Sequence, residues 1–142
     1  MRIRWEPKGV DVSGTLSELA NVASEIDGVA SSAKAFVEVV GETDGSPAPY
    51  DRLLACMRVT SGNGPVRISE HPQGVLHVTG GSQELAALES YFLFGPDATR
   101  GAHNHYEYFP GNEYVTADSL PLVVSVTVEG NREKGRRTSG CS

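Results

Sequence analysis

Residues 103–128, HNHYEYFPGNEYVTADSLPLVVSVTV, decide the fold of this chain, because they contain two strand patterns joined by a polar turn. Over residues 120–128, Leu and Val recur at every second position, which is typical of a strand with one apolar face. Over residues 103–109, polar and aromatic side chains alternate, so both faces of that strand can form hydrogen bonds. Pro-Gly-Asn at residues 110–112 ends the first strand. We predict that this pair forms the centre of the sheet and carries the function.

Length and composition favour a single domain spanning residues 1–130, because 142 residues leave no room for two full cores. No apolar run approaches the length of a membrane-spanning helix, and the start of the chain, MRIRWEPKGV, has no apolar segment typical of a signal peptide. The two cysteines, Cys56 and Cys141, are too few for a disulfide framework. These features predict a cytoplasmic protein with no membrane contact.

Charge is unevenly distributed along the chain. The last twelve residues, 131–142, carry a net charge of +3 and are predicted to form a disordered basic tail, whereas the preceding 130 residues carry −9. An acidic body repels nucleic acid and attracts a basic protein. The alternative explanation is that the net charge only keeps the protein soluble.

The rest of the chain predicts an alternation of strands and helices. Thr15 and Glu18 form the pattern of a capping box, which predicts a helix over residues 14–27 with Gly28 as its stop. A second helix is predicted to start with Ser82 as its cap. The remaining predicted segments are strands at residues 2–6, 33–40 and 57–60, a connector at 7–11, a long hairpin loop at 41–50 and a hairpin at 66–78.

This order predicts an α+β fold, with an antiparallel or mixed sheet of about six to seven strands and two helices packed on one face. The start of the first helix, GTLSELA at residues 14–20, loosely resembles GSQELA at residues 81–86, and each helix is followed by two strands. The chain could therefore consist of duplicated helix-plus-hairpin units.

One candidate chemistry is metal binding. His103 and His105 are predicted to share one strand face, and Glu107 would continue the series, giving three ligand types that zinc or non-haem iron accepts. The His-x-His spacing is similar to that of cupin metal sites, but a glutamate at the cupin spacing is missing. Neither cysteine lies in a nucleophile motif, so we assign no catalytic residue and no cofactor.

Residues 66–126 resemble the bacterial immunity protein 32 family, whose members neutralise polymorphic toxins. The resemblance rests on the hairpin VRISEHPQGVLHVTG, the helix with Leu85 and Leu88, the segment HNHYEY, Gly111 and the segment SLPLVV from residue 119. The resemblance implies a binding protein rather than an enzyme, and an acidic body suits a basic toxin such as a nuclease.

Two classes of function therefore compete: an immunity-type binding protein, and a small metal-dependent enzyme or metal-binding module that uses His103, His105 and Glu107. An accessory protein of a biosynthetic complex is a further alternative. Exposed aromatic and charged residues near the hairpin would contact a basic protein partner, and tyrosine suits this role because it offers a large rigid area. The predicted contact residues are His103, His105, Tyr106, Tyr108, Glu113 and Tyr114. Burial under the helices is the alternative for Tyr106 and Tyr108, since one face of their strand must be buried.

Overall fold

A computed structural model describes residues 1–127 of the chain, which form nine strands, two α-helices and a short 3-10 helix. The predicted tail at residues 131–142 lies outside the described residues. The first five strands are β1 (Arg2–Glu6), β2 (Gly9–Gly14), β3 (Phe36–Val40), β4 (Arg52–Leu54) and β5 (Cys56–Ser61). The remaining strands are β6 (Arg67–His71), β7 (Val75–Gly80), β8 (His103–Tyr106) and β9 (Leu122–Val126). The helices are α1 (Leu16–Ala30) and α2 (Ser82–Glu89), and the 3-10 helix is Ser90–Phe92.

The described strands form two mixed sheets. Sheet A has five strands in the order β4-β1-β2-β9-β8, and sheet B has four in the order β3-β5-β7-β6. Each sheet contains one parallel pair, β2 with β9 in sheet A and β5 with β7 in sheet B, while the other pairs are antiparallel. The α+β class and the two helices are confirmed. The number and grouping of strands differ from the prediction, which placed six to seven strands in one sheet.

The two halves of the chain have the same connectivity apart from β4, which is present only in the first half. Two paired strands lead into a helix in both halves, and a second antiparallel pair follows, β3 with β5 in the first half and β8 with β9 in the second. Each leading hairpin then pairs in parallel with the last strand of the other half. Each sheet therefore contains strands from both halves. Gene duplication as the origin of this arrangement stays a prediction.

The alternation in β9 places its apolar face in the core. Leu122, Val124 and Val126 are at most 4% exposed, whereas Val123 and Ser125 between them are half-buried. The buried hydrophobic residues of both sheets and both helices belong to one cluster. The helices pack on each other, and α1 also contacts β2 of sheet A and β3 and β5 of sheet B.

Both helices start close to their predicted positions. The capping box of α1 is confirmed, because the Thr15 hydroxyl accepts from the Glu18 amide and the Glu18 carboxylate accepts from the Thr15 amide. The helix continues past Gly28 to Ala30. In α2, Gly81 rather than Ser82 is the cap. The Ser82 hydroxyl instead donates to the Ala30 carbonyl oxygen at the end of α1, and this contact joins the two helices.

The predicted connector at residues 7–11 is wrong, because β2 starts at Gly9 and lies between β1 and β9 in sheet A. A carboxylate such as that of Asp11 rarely lies in a buried strand. The Asp11 side chain is 3% exposed and accepts hydrogen bonds from Arg4 Nη2 and Ser125 Oγ, each at 2.7 Å. A buried carboxylate with these partners is compatible with a central strand.

The loop at residues 41–50 does not close a simple hairpin. The strand before it, β3, pairs with β5 in sheet B, whereas β4 after it pairs with β1 in sheet A. The loop therefore carries the chain from one sheet to the other. Its carbonyl oxygens at Asp44 and Ala48 accept hydrogen bonds from Arg2 and Arg4 of β1.

One observation bears on the predicted absence of membrane contact. Within residues 1–127, neither helix is long and apolar enough to cross a membrane. Cys56 is buried, at 1% exposed. A cytoplasmic location stays a prediction.

Candidate partner-binding surface

The strand β8 forms one edge of sheet A, so the prediction that β8 and β9 form the centre of the sheet is wrong; β2 is the central strand. Strand β8 pairs antiparallel with β9, with His103 opposite Ser125 and His105 opposite Val123. Within the described residues, no strand pairs with the other side of β8. An edge of this kind offers unpaired backbone groups to another chain.

Side chains alternate between the two faces of β8, as the sequence predicts. His103 and His105 are exposed and lie on the outer face of sheet A. Asn104 and Tyr106 lie on the inner face, where Asn104 Nδ2 donates to the Tyr91 carbonyl oxygen at 2.9 Å. The inner side chains thus fix β8 on the body of the protein and leave the two histidines at the surface.

The two histidine rings contact each other edge to face, with their centroids 5.0 Å apart. His103 Nδ1 also lies 3.0 Å from the Gly101 carbonyl oxygen, a distance at which a protonated Nδ1 donates a hydrogen bond. This contact orients the His103 ring and leaves its Nε2 without a hydrogen-bond partner among the described residues.

Tyr106 is a core residue. It is 4% exposed, and its ring packs edge to face against Tyr91 with the centroids 4.9 Å apart. Burial raises the pKa of the Tyr106 hydroxyl, and the nearby Tyr91 and Glu84 raise it further. Because almost none of its side chain reaches the surface, Tyr106 is removed from the set of contact residues.

The segment after β8, residues 107–114, is shaped by a turn and one asparagine. Gly111 has a φ of 95°, a conformation that glycine adopts without strain. Asn112 Nδ2 donates to the Glu107 carbonyl oxygen at 3.2 Å, and its Oδ1 accepts from the Tyr114 amide at 3.0 Å. The sequence indicated the turn through Pro-Gly-Asn, but not the role of the Asn112 side chain.

Three aromatic side chains of this segment face solvent. Tyr108 is 39% exposed, Phe109 59% and Tyr114 46%. Among the described residues only Phe36 and Leu93 are also large, hydrophobic and this exposed. Three of the five exposed large hydrophobic residues therefore lie within seven consecutive positions. Phe109 is not among the predicted contact residues, although its position directly before Pro110-Gly111 indicates a turn and hence exposure.

The charge in this region is negative. Residues 101–121 contain three carboxylates and no lysine or arginine. Glu107 and Glu113 are exposed. Asp118 accepts hydrogen bonds from Thr116 at 2.8 Å and Arg67 at 3.1 Å, and the Thr116 hydrogen bond is the main cause that lowers its pKa.

The end of the segment is anchored on sheet B. Val115 forms a parallel bridge with Val66, and the Val66 amide donates to the Tyr114 carbonyl oxygen at 2.7 Å. The Leu120 amide donates to the Ile68 carbonyl oxygen at 2.9 Å. The segment is thus held by β8 of sheet A at one end and β6 of sheet B at the other. Together with the exposed histidines it forms a surface that we call the β8 surface: His103, His105, Glu107, Tyr108, Phe109, Glu113 and Tyr114.

The predicted metal ligands do not form a cluster. The strand ends at Tyr106, so Glu107 does not continue the face that carries His103 and His105. Within residues 1–127, no group of three or more His, Cys, Asp and Glu side chains could hold a metal ion. The geometry therefore gives the metal alternative no support.

No family model matches the chain, and no curated protein or solved structure matches it either. The resemblance to the immunity protein 32 family therefore rests on the quoted residues alone and stays a prediction.

Proposed function

We propose that this chain is an immunity-type protein that binds and neutralises a basic protein toxin through the β8 surface. The observation that carries the proposal is the concentration of exposed aromatic residues, Tyr108, Phe109 and Tyr114, beside a strand edge that no strand of residues 1–127 pairs with. Exposed aromatic side chains of this size lose little conformational entropy when they are buried, and they dominate the affinity of many protein interfaces.

The charge of the surface supports a basic partner. Glu107 and Glu113 lie among the aromatic residues, and no lysine or arginine occurs between residues 101 and 121. The net charge of −9 over residues 1–130 extends this negative field beyond the contact region. Such a field accelerates encounter with a basic protein and opposes encounter with nucleic acid.

A binding role agrees with the chemistry of the surface better than catalysis does. The exposed His103 and His105 contact each other, and no carboxylate completes a metal group within the described residues. The exposed aromatic rings have no role in a metal site, whereas the rings and the carboxylates together suit the contact area and charge of an interface. A protein partner other than a toxin would use the same surface.

Co-expression tests the proposal. A basic toxin domain encoded beside the gene for this chain is expressed in a sensitive host together with the wild type or a variant. We expect the wild type to restore growth, and the double variant Tyr108→Ala, Tyr114→Ala to lose most of that protection. Phe36→Ala is the matched control, because Phe36 is 48% exposed but lies on β3 of sheet B. Absence of both protection and a complex at micromolar concentration contradicts the proposal.

A further inference from the structure

We propose that the partner adds an extended segment as a further strand along the free edge of β8, so that sheet A gains a sixth strand in the complex. This inference rests on the proposed function, since it describes how the β8 surface would hold its partner. The added segment would carry lysine or arginine side chains.

The hydrogen-bond pattern of β9 determines which backbone groups of β8 are free. The Val10 amide donates to the Pro121 carbonyl oxygen at 2.9 Å, and the Thr127 amide donates to the Gly14 carbonyl oxygen at 2.8 Å. The odd-numbered residues of β9 therefore point their backbone groups towards β2. The even-numbered residues point theirs towards β8, since both groups of one residue lie on the same side of a strand.

The same alternation determines which residues of β8 direct their backbone groups towards β9. The Val126 amide donates to the Ala102 carbonyl oxygen at 2.9 Å, so Asn104 and Tyr106 also direct their backbone groups towards β9. His103 and His105 then direct theirs away from the sheet. The free edge thus presents two N–H and two C=O groups, the pattern that an added strand requires.

The surroundings of the edge indicate the chemistry of the added segment. A strand beside β8 would lie about 4.8 Å away, and alternate side chains would meet the outer face that carries His103 and His105. Beyond the end of β8, Glu107 and Tyr108 are exposed. A lysine or arginine of the segment would pair with the carboxylate and pack its aliphatic part on the ring.

The other edge strands are less suitable. The edge of β6 is covered by residues 114–120, which contribute the Val66–Val115 bridge and accept from the Ile68 amide through the Ser119 hydroxyl at 2.8 Å. The edge strand β4 has only three residues. At β3, the single exposed aromatic residue is Phe36, and its ring lies under the Arg58 guanidinium at 4.5 Å.

Amide hydrogen exchange tests the proposal residue by residue in the complex with the basic toxin domain. The Asn104 and Tyr106 amides, which bond to β9, should exchange slowly with and without partner. The His103 and His105 amides should exchange rapidly in the free protein and slow by about tenfold or more in the complex. Unchanged exchange at His103 and His105 in a stable complex overturns strand addition while leaving the proposed function intact. Failure to form any complex overturns both.

A matched pair of substitutions at His105 separates backbone from side-chain recognition. His105→Ala removes the imidazole and keeps the amide, whereas His105→Pro also removes the outward amide without taking a hydrogen bond from the ladder. We expect the proline variant to bind about tenfold more weakly than the alanine variant, the loss of about one hydrogen bond. Equal affinities of two folded variants, shown by equal melting temperatures, overturn the proposal. If the proline variant does not fold, the exchange measurement decides.

Discussion

The Ser125 hydroxyl donates a hydrogen bond of 2.7 Å to the carboxylate of Asp11, a residue 114 positions earlier in the chain. Arg4 Nη2 lies 2.7 Å from the other carboxylate oxygen. These contacts join β1, β2 and β9 across sheet A, and they account for a carboxylate that is 3% exposed. The central strand of the sheet is thus held by side-chain as well as backbone hydrogen bonds.

Replacing Asp11 tests this arrangement. Asp11→Ala leaves the Arg4 guanidinium and the Ser125 hydroxyl without their acceptor, so we expect the free energy of unfolding to fall by about 2 kcal/mol. Asp44→Ala removes an exposed carboxylate and should change the free energy of unfolding by less than about 0.5 kcal/mol. Urea denaturation of both variants measures the difference. Equal stabilities would show that the buried network contributes nothing to folding.

Local patterns predicted the elements whose cause is local. The alternation over residues 120–128 identified β9, and the Thr15–Glu18 box identified the start of α1, because both depend on neighbouring residues. The missed strand β2 forms a hairpin with its neighbour β1, but the burial of its Asp11 carboxylate is explained only by hydrogen bonds from Arg4 and from the distant Ser125. The two parallel pairs join strands that are not neighbours in the chain, and no local pattern predicts them.

For the candidate site, the alternation of side chains along β8 could be predicted, but the burial of one face and the end of the strand could not. Alternation placed His103 and His105 together on one face, and the same rule placed Tyr106 on the other. Which of those faces is buried depends on the packing of Tyr91 against Tyr106, which no local pattern contains. The end of β8 at Tyr106 likewise separates Glu107 from the histidines.

A second histidine pair should make stability depend on pH. His71 and His77 stack with their ring centroids 3.7 Å apart, and Arg58 lies opposite His77 in the sheet. Burial lowers the pKa of His77, and the neighbouring His71 and Arg58 lower it further. Ser69 of β6 is the other neighbour in register, and Glu38 pairs with Arg58 from β3.

The direction in which stability changes with pH follows from the lowered pKa of His77. The unfolded chain binds a proton at His77 more readily than the folded protein does, so this contribution to stability is present at neutral pH. It is lost as the pH falls below the ordinary value of 6.5 towards the lowered folded value. Unfolding measured between pH 7.5 and 5 should show a smaller loss of stability for His77→Gln than for the wild type. Parallel curves for the two proteins would contradict the prediction.

Metal content distinguishes a binding protein from a metal-dependent enzyme or metal-binding module. Two histidines that contact each other without a neighbouring carboxylate are a weak ligand set, so we expect the purified protein to contain no stoichiometric zinc or iron. Elemental analysis of the wild type and of the double variant His103→Ala, His105→Ala tests this expectation. About one metal ion per chain in the wild type, lost in the double variant, would favour the metal-dependent function.

Charge at the β8 surface should act mainly on the association rate. Raising the salt concentration from about 50 to 500 mM shortens the Debye length from roughly 14 to about 4 Å. Association with a basic toxin domain should slow, while dissociation changes less. Glu107→Lys with Glu113→Lys should slow association at low salt, and a single Asp44→Lys should affect it far less, because Asp44 lies in the loop beside β1. Equal effects of these carboxylate changes would place the binding surface elsewhere.

The most direct test of the β8 surface is the dissociation rate of the complex for variants of its aromatic residues. Surface plasmon resonance with the immobilised toxin domain measures wild type, Tyr108→Ala, Tyr114→Ala and the control Phe36→Ala. We predict faster dissociation for the two tyrosine variants, equivalent to a loss of about 1–3 kcal/mol of binding free energy, and an unchanged rate for Phe36→Ala. A complex whose dissociation rate is the same for all four proteins would contradict the assignment of the binding surface.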